Sequence, residues 1–558
     1  MFRSDTDDCR LVSEKVESVQ LPEIFCQILQ FAVGSDGAKV LLPFTRVCAR
    51  WRRVALGDSS LWTIIYLKQT TVPLLDMILA HAGNQLFTVH IDHHELDRLP
   101  KLWELVDRFE ELHCSTELDK LAPFLSSLGP APNLKVLHFR PELTAGTIGL
   151  PVIFSGSLPS LRRLTLTTIF WPDGLFKGLV SLDCGTTEMA PLSPVHLMNV
   201  LRDSPSIESI RFVGISGRPK GVVLPTVSLP SLRKCTLTGE GTTDLIRFMT
   251  VPPSAHVSLD KSYTSFGETF PRFDDLSVAP GLRILDKVSA VSVSIDDGAV
   301  QIQAKNNHGG VFVSKEHELS SLSRDPTRFG PFIRSSFDCG RTCPGFQSTK
   351  EFTLDVERGR IWQPKEAADF AFDVLGFLSC LPNVEDMTLR GVPPREFAII
   401  LQSLHSARGL GIPCPNLKRL RLESTPRHSP WSLLEGLDRF ASNRKEVGAP
   451  LRSFTVKVKC EKLIPAADHR TFLASWIGLV REGVRLEYER TEVKKIPRCT
   501  RYNYLEEDDE DDGSDNGSQD MGYEDEGEVV GDGGPRECCV GWDGWPGGWP
   551  KAMGEVRE

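Results

Sequence analysis

The chain has 558 residues, with 64 Lys and Arg against 74 Asp and Glu, a formal net charge of −10, 40% hydrophobic residues and 45 Gly. That length accommodates several domains or one long repeat array, the apolar share suits a globular protein with a sizeable core, and no window approaches a membrane-spanning run of apolar residues. The charge is segregated: Leu505 to Asp532 holds 14 Asp or Glu and no Lys or Arg, and 74 less 14 leaves 60 acidic against 64 basic residues elsewhere. A near-neutral body with an acidic tail carries no electrostatic footprint for nucleic acid.

Arg3, Asp5, Asp7 and Asp8 precede any apolar run, unlike a secretory leader. An intracellular protein, cytoplasmic and/or nuclear, is expected. The 14 Cys are irregularly spaced from Cys9 to Cys539, and Cys26, Cys48, Cys184 and Cys235 sit in apolar stretches. They read as buried thiols and not as a disulfide framework.

The first periodic segment places Leu21, Ile24, Phe25, Ile28, Leu29 and Ala32 on one face of a helix. Pro22 suits its first turn, where a missing N–H costs nothing, and Gly34 to Gly37 ends it. A second helix is expected to start at Pro43, with Phe44, Val47, Cys48, Trp51, Val54 and Ala55 on one face and Arg46, Arg50, Arg52 and Arg53 largely off it. "GDSS" then breaks the pattern before "LWTIIYL". A unit this small buries little surface, so it should lean on the rest of the chain or on a partner.

Leu21-Pro22-x-Ile24, Ile28, Val47-Cys48-x-x-Trp51-Arg52, Ala55 and Leu61-Trp62 resemble an F-box in order and spacing. The segment Leu74 to Asp92 is similar to the helix and strand that follow the F-box in a group of fungal F-box-like proteins. Pro43 departs from the pattern, because it sits where a longer second helix would run. The resemblance implies docking to a Skp-type adaptor, and through it to a cullin scaffold, by Leu21, Pro22, Ile24, Ile28, Val47, Cys48, Trp51, Leu61 and Trp62. From periodicity alone, the same face reads equally well as a helical cap packed on the body.

Beyond it a short pattern recurs, Pro followed by apolar residues at +2, +5 and +7, in segments beginning at Ala131, Leu158, Ser204, Leu229, Ala279, Leu381 and Cys414; the fifth copy lacks the last apolar residue. Looser copies start at Gly178 and Pro450. The first apolar positions run Leu134, Leu161, Leu179, Ile207, Leu232, Leu282, Val384, Leu417 and Leu451, with gaps of 27, 18, 28, 25, 50, 102, 33 and 34 residues. Several gaps fall within the roughly 20 to 29 residues of leucine-rich repeats. The expected unit is one strand per copy with a helix or turn returning the chain, stacked because no unit buries its face alone.

The 102-residue gap contains Val291 to Gln303, which alternates on both sides of Asp297-Gly298 as a β-hairpin does. Val311 to Val313 and Phe352 to Val356 add further candidate strands, and Gly340 to Lys350 reads as an exposed loop. A helix over Thr471 to Val480 and a strand in Gly483 to Arg490 close the body. From Arg501 Asp, Glu, Gly and Ser dominate, and disorder is the default, although Trp542, Trp545 and Trp549 stand in a Gly/Pro background near the end.

The expected fold is therefore α/β: a flexible N-terminus (1–18), a three-helix F-box-like module (19–67), and an irregular leucine-rich-repeat-like solenoid (68–500). An antiparallel β insertion falls at about 286–380, and an acidic and Trp/Gly-rich tail (501–558) is disordered.

Charges at variable strand positions, Lys135, Arg162, Arg163, Glu208, Arg211, Arg233, Lys234, Glu385, Lys418, Arg419 and Arg421, line a face able to hold a protein target or simply to be solvated. Neither the target nor its binding residues follow from the sequence. His90, Asp92 and His94 share one strand face without a distant partner, Cys339 and Cys343 lack a second pair, and Asp508 to Gln519 departs from a calcium loop, so no metal is expected. Nucleophile-elbow, phosphate-loop, zincin and dinucleotide signatures are absent, so no cofactor and no catalysis are expected. What the resemblance implies is substrate recruitment in an SCF-type ubiquitin ligase. The alternatives are a non-ligase scaffold with a structural F-box and, more distantly, an enzyme with a dispersed site.

Overall fold

In an extended strand, residues two apart face the same side, so the +5 and +7 positions of each recurring segment put two apolar side chains on one face of a sheet. The computed structural model describes residues 22–92, 99–115, 118–140, 148–262 except 168, 173, 186–191, 217–221 and 240, 281–317 except 297–298, 344–356, 374–404 except 393, 413–424, 437–459 and 485–491. Among these residues the fold is mixed α/β with one large, mostly parallel sheet of 17 strands. Its strands are β1 (Ile64–Tyr66), β2 (Phe87–Asp92), β3 (Phe109–Ser115), β4 (Val136–Phe139), β5 (Arg163–Thr167), β6 (Ser181–Gly185), β7 (Ser209–Ile215), β8 (Lys234–Gly239) and β9 (His256–Ser262). There follow β10 (Val288–Asp296), β11 (Ala299–Asn306), β12 (Val311–His317), β13 (Glu351–Val356), β14 (Asp386–Arg390), β15 (Arg419–Ser424), β16 (Ser453–Lys459) and β17 (Arg485–Thr491).

Strands β1 to β9 lie side by side in chain order, each parallel to the next. The order then inverts: β9 pairs with β12, β12 with β11, and β11 with β10, after which β10 pairs with β13 and chain order resumes to β17. The expected antiparallel insertion is thus continuous with the parallel sheet, and only β11 runs against its neighbours. Two rows of core residues run in register through the ladder, Val89, Leu112, Leu137, Leu164, Leu182, Ile210, Cys235 and Val257 in one, and Ile91, Cys114, Phe139, Leu166, Cys184, Phe212, Leu237 and Leu259 in the other. All sixteen are buried, and each large aliphatic among them contributes roughly 1.5–3 kcal/mol of transfer free energy.

The fifth copy of the pattern makes no sheet strand, against expectation. Its Leu282, Ile284 and Leu285 are buried in a 3₁₀ turn (Arg283–Leu285), Lys287 takes a positive φ of 54°, and β10 starts only after it. The segment read as an exposed loop also differs: Pro344–Ser348 is a 3₁₀ turn that buries Phe346. A Cβ at Gly345 would fall 1.6 Å from the Leu285 carbonyl oxygen, so only glycine permits this approach.

The inserted strands are pinned by Asn306. Its buried amide donates to the Pro253 and Ile284 carbonyls at 2.7 and 3.0 Å and accepts from the His308 and Gly310 N–H groups, both at 2.9 Å. All four of its hydrogen-bonding positions are used.

The N-terminal segment folds as helix α1 (Pro22–Asp36), a short α2 (Leu41–Phe44) and α3 (Ala49–Gly57), then a 3₁₀ turn (Ser59–Trp62) that leads into β1. The second expected helix is therefore split: Pro43 lies within α2, and Thr45 to Val47 form a turn before α3. Helix α4 (Val72–Ala82) carries the chain to β2, as the sequence led one to expect. Core residues from Phe25 to Phe454 form one continuous apolar cluster, so this module and the sheet share a single core.

Residues Met1–Lys494 form one compact unit, and Lys495–Glu558 a second that lies wholly outside the described residues. The expected flexible N-terminus, the helix over 471–480 and the tail also lie outside them. Among the described residues no helix is long and apolar enough to cross a membrane.

Near the other end, α5 (Pro394–Ser403) and α6 (Leu437–Glu446) return the chain between β14, β15 and β16. Arg444 of α6 is fully buried and has no carboxylate partner among the described residues. Its guanidinium donates to the carbonyls of Ala449, Leu404, Cys414 and Pro415 at 3.0 to 3.3 Å. Burial pushes its pKa below the ordinary arginine value, and the four carbonyls share the desolvated charge. Replacing it leaves those acceptors without a donor. Arg444→Met is expected to destabilise the protein by about 3 kcal/mol, with Arg444→Lys recovering less than half, read from urea unfolding followed by circular dichroism.

Candidate docking surface

Helix α1 divides its apolar residues between two sides. Phe25, Leu29 and Val33, four residues apart, are buried in the core, whereas Ile24, Ile28 and Phe31 are 49%, 50% and 82% exposed. The latter fall at i, i+4 and i+7, a stripe along one side of the helix. Val47, on the turn before α3, is 59% exposed. Isolated exposed apolar residues need no explanation, but four large ones in 24 residues do.

The inward side is tightly tied. The Cys48 thiol caps α3 by accepting the Trp51 N–H at 3.4 Å. The Trp51 ring packs on Phe25 with 4.5 Å between ring centroids and on Phe44 with 5.7 Å, joining α3 to α1 and α2. Trp62 is fully buried, stacked on His81, with its indole N–H donating to the Ala55 carbonyl at 2.7 Å. Leu61 is equally buried. At the end of α1, Gly37 has φ 70° and faces the Tyr66 ring, whose hydroxyl donates to the Gly34 carbonyl at 3.1 Å.

The nine residues singled out from the sequence therefore do not form one face. Ile24, Ile28 and Val47 are presented to solvent, Cys48 and Trp51 are half-buried and hold α3 in place, and Leu61 and Trp62 are internal. Both stand in the 3₁₀ turn, where Trp62 meets His81 of α4 and the Ala55 carbonyl of α3. Pro22 opens α1, and Leu21 lies outside the described residues. Phe31 was not among the nine, although its spacing from Ile24 and Ile28 was available to find it.

The solvent side of the sheet carries most of the strand charges. Lys135 pairs with Glu110 at 2.7 Å, Arg163 with Glu111 at 3.1 Å, Arg211 with Asp183 at 3.4 Å, Arg233 with Glu208 at 3.5 Å and Lys418 with Glu385 at 2.8 Å. Arg419 pairs with Asp386, and Arg162 donates to the Gly178 carbonyl at 3.1 Å. The hydrogen bond from Lys418 holds the Glu385 carboxyl below its usual range, and the bond to Asp386 raises the Arg419 guanidinium. Most of this charge is thus compensated from strand to strand. Exposed pairs of this kind contribute little stability each.

His90 has partners the sequence pattern did not reveal. In register with it stand Tyr66 of β1, His113 of β3 and His138 of β4, so four rings line up across four strands. The Tyr66, His90 and His113 rings lie in nearly parallel planes, and His138 is tilted by 47° from His113. Among the described residues no group of three or more His, Cys, Asp or Glu is placed to hold a metal ion. His94, Cys339, Cys343 and the acidic run 508–519 lie outside the described residues. The thiols of Cys114, Cys184, Cys235 and Cys414 are buried, and burial raises all four, Cys235 and Cys414 to about 12. They stay protonated at neutral pH, where only the thiolate is nucleophilic.

Compared with known proteins, the chain matches no protein-family model and no curated protein.

The two sides of α1 separate by mutation. Trp62→Ala is expected to cost about 3–5 kcal/mol, whereas Ile28→Ala and Phe31→Ala should change stability by no more than about 0.5 kcal/mol. Thermal and urea unfolding of the three variants checks both.

Proposed function

We propose that the protein is the substrate-recruiting subunit of an SCF-type ubiquitin ligase, with residues 19–67 as an F-box that docks a Skp-type adaptor and, through it, a cullin scaffold. The observation that carries this reading is the stripe of Ile24, Ile28 and Phe31, with Val47, on a module otherwise closed on its inner side. Rigid apolar side chains able to exclude water are what a docking face requires. The F-box-like order of Leu21, Pro22, Ile24, Ile28, Val47, Cys48, Trp51, Leu61 and Trp62 points to the same partner. Within that reading, Leu61 and Trp62 support the face from behind.

The strand-and-return units, read as degenerate leucine-rich repeats, form the body that holds a protein target on its solvent-facing side. The mechanism is proximity, without chemistry by this chain. One end is fixed to the ligase and the other to the target, which raises the effective concentration of target lysines near the conjugating enzyme.

A second reading, a scaffold whose F-box is structural, draws on the burial of Leu61 and Trp62 and on the core shared by module and sheet. A titration of the full chain with a Skp-type adaptor separates the two. Binding that weakens at least about 30-fold in a folded Ile28→Asp/Phe31→Asp variant is expected for the ligase subunit. No binding by the unaltered protein would leave the scaffold in its place.

A further inference from the structure

The solvent side of the sheet begins with a ladder of rings. Tyr66 and His90 stack with centroids 4.2 Å apart and planes 9° from parallel, His90 and His113 at 4.3 Å and 10°, and His113 and His138 at 4.6 Å with a tilt of 47°. The ladder crosses β1, β2, β3 and β4, and β1 is the strand that ends the N-terminal helical module. The rings therefore span the junction between module and sheet.

Three imidazoles this close stack well only while uncharged. Two protonated rings about 4 Å apart repel, and the half-buried setting screens them less than water would. The surrounding charges relieve this only in part. From β3, Glu111 sits 3.4 Å from His113 Nε2, but it is already held by Arg163 of β5 at 3.1 Å. Arg140 follows β4 and adds positive charge near His138. Asp92 shares the solvent side of β2 with His90, Asp36 of α1 lies on the Tyr66 side, and Glu110 is paired with Lys135.

We propose that this ladder is a pH-sensitive seam, which holds β1 and the helical module onto the sheet while its imidazoles are neutral and loosens that junction in mild acid. Burial, then the neighbouring His113 and His138, pull the His90 pKa down to about 4. Burial and His113 lower His138 as well, with Arg140 and Arg163 adding to the effect against Glu111. An unfolded or opened chain takes up these protons near the ordinary histidine value. The stabilisation is therefore fully present above that value and is lost as pH falls from it toward 4. The seam is independent of the function proposed above.

Hydrogen exchange of the full-length protein, followed by mass spectrometry from pH 7.5 to 5 and corrected for the intrinsic pH dependence of exchange, tests it. Between pH 7.5 and 5, peptides covering 64–66, 87–92 and 109–115 should lose protection roughly tenfold, a figure discounted for partial solvent exposure of the rings. Peptides covering 386–390 and 419–424, where no histidine stands in the strand, should not. An equal response in both sets, or none in the first, overturns the proposal. A His90→Phe/His138→Phe variant keeps the stacked surfaces and removes the two groups whose protonation the fold resists, and a flattened profile is expected. If it folds and retains the unaltered protein's pH response, the seam is equally refuted; if it does not fold, the comparison of the two peptide sets decides.

Discussion

Everything in this molecule depends on register. A parallel strand pair has no tight turn to set its alignment, so the alignment is set by burial: shifting one strand by a single residue would turn its core side chains to solvent. Two buried positions per strand, repeated from β2 to β15, hold these strands in one ladder. The same alignment places everything on the opposite side. Because Leu112 and Cys114 must point inward, His113 points outward, in line with His90 and His138.

Where the apolar pattern weakens, polar and backbone interactions take over. At the inverted strands β10 to β12, Ser314 occupies a buried ladder position opposite Leu259 and Ile302. There Asn306 and the close approaches at Gly310 and Gly345 fix the chain, each by contacts that another residue would not make. Arg444 acts similarly between β14 and β16, where one guanidinium supplies donors to carbonyls left by two returning segments. Asn306, with all four of its hydrogen-bonding positions used, defines one arrangement, since a partial set would be costly.

Much of the fold was legible because it rests on local spacing. Pro followed by apolar residues at +2, +5 and +7 marked strands β4, β5, β7, β8, β14 and β15, and the alternation around Asp297-Gly298 marked the β10 and β11 hairpin. The fifth copy misled because its two pattern residues, Leu282 and Leu285, bury equally well in a tight turn, where with Ile284 they reach the core without a strand. The candidate site was less legible. Apolar residues at helical spacing on α1 signal a helix, but they do not say which of two adjacent stripes is inside, and only packing against Trp51 and Phe44 sent Phe25 inward.

By itself the sequence determined the α/β class, the recurrent strands and the helix-rich entry, because each follows from the period at which one short segment offers apolar side chains. The tertiary structure alone decided that Leu61 and Trp62 belong to the core while Phe31 faces water. It alone decided the inverted order of β10 to β12 and the meeting of Tyr66, His90, His113 and His138. These depend on which segments become neighbours across 20 or more residues, and a one-dimensional period carries no record of that.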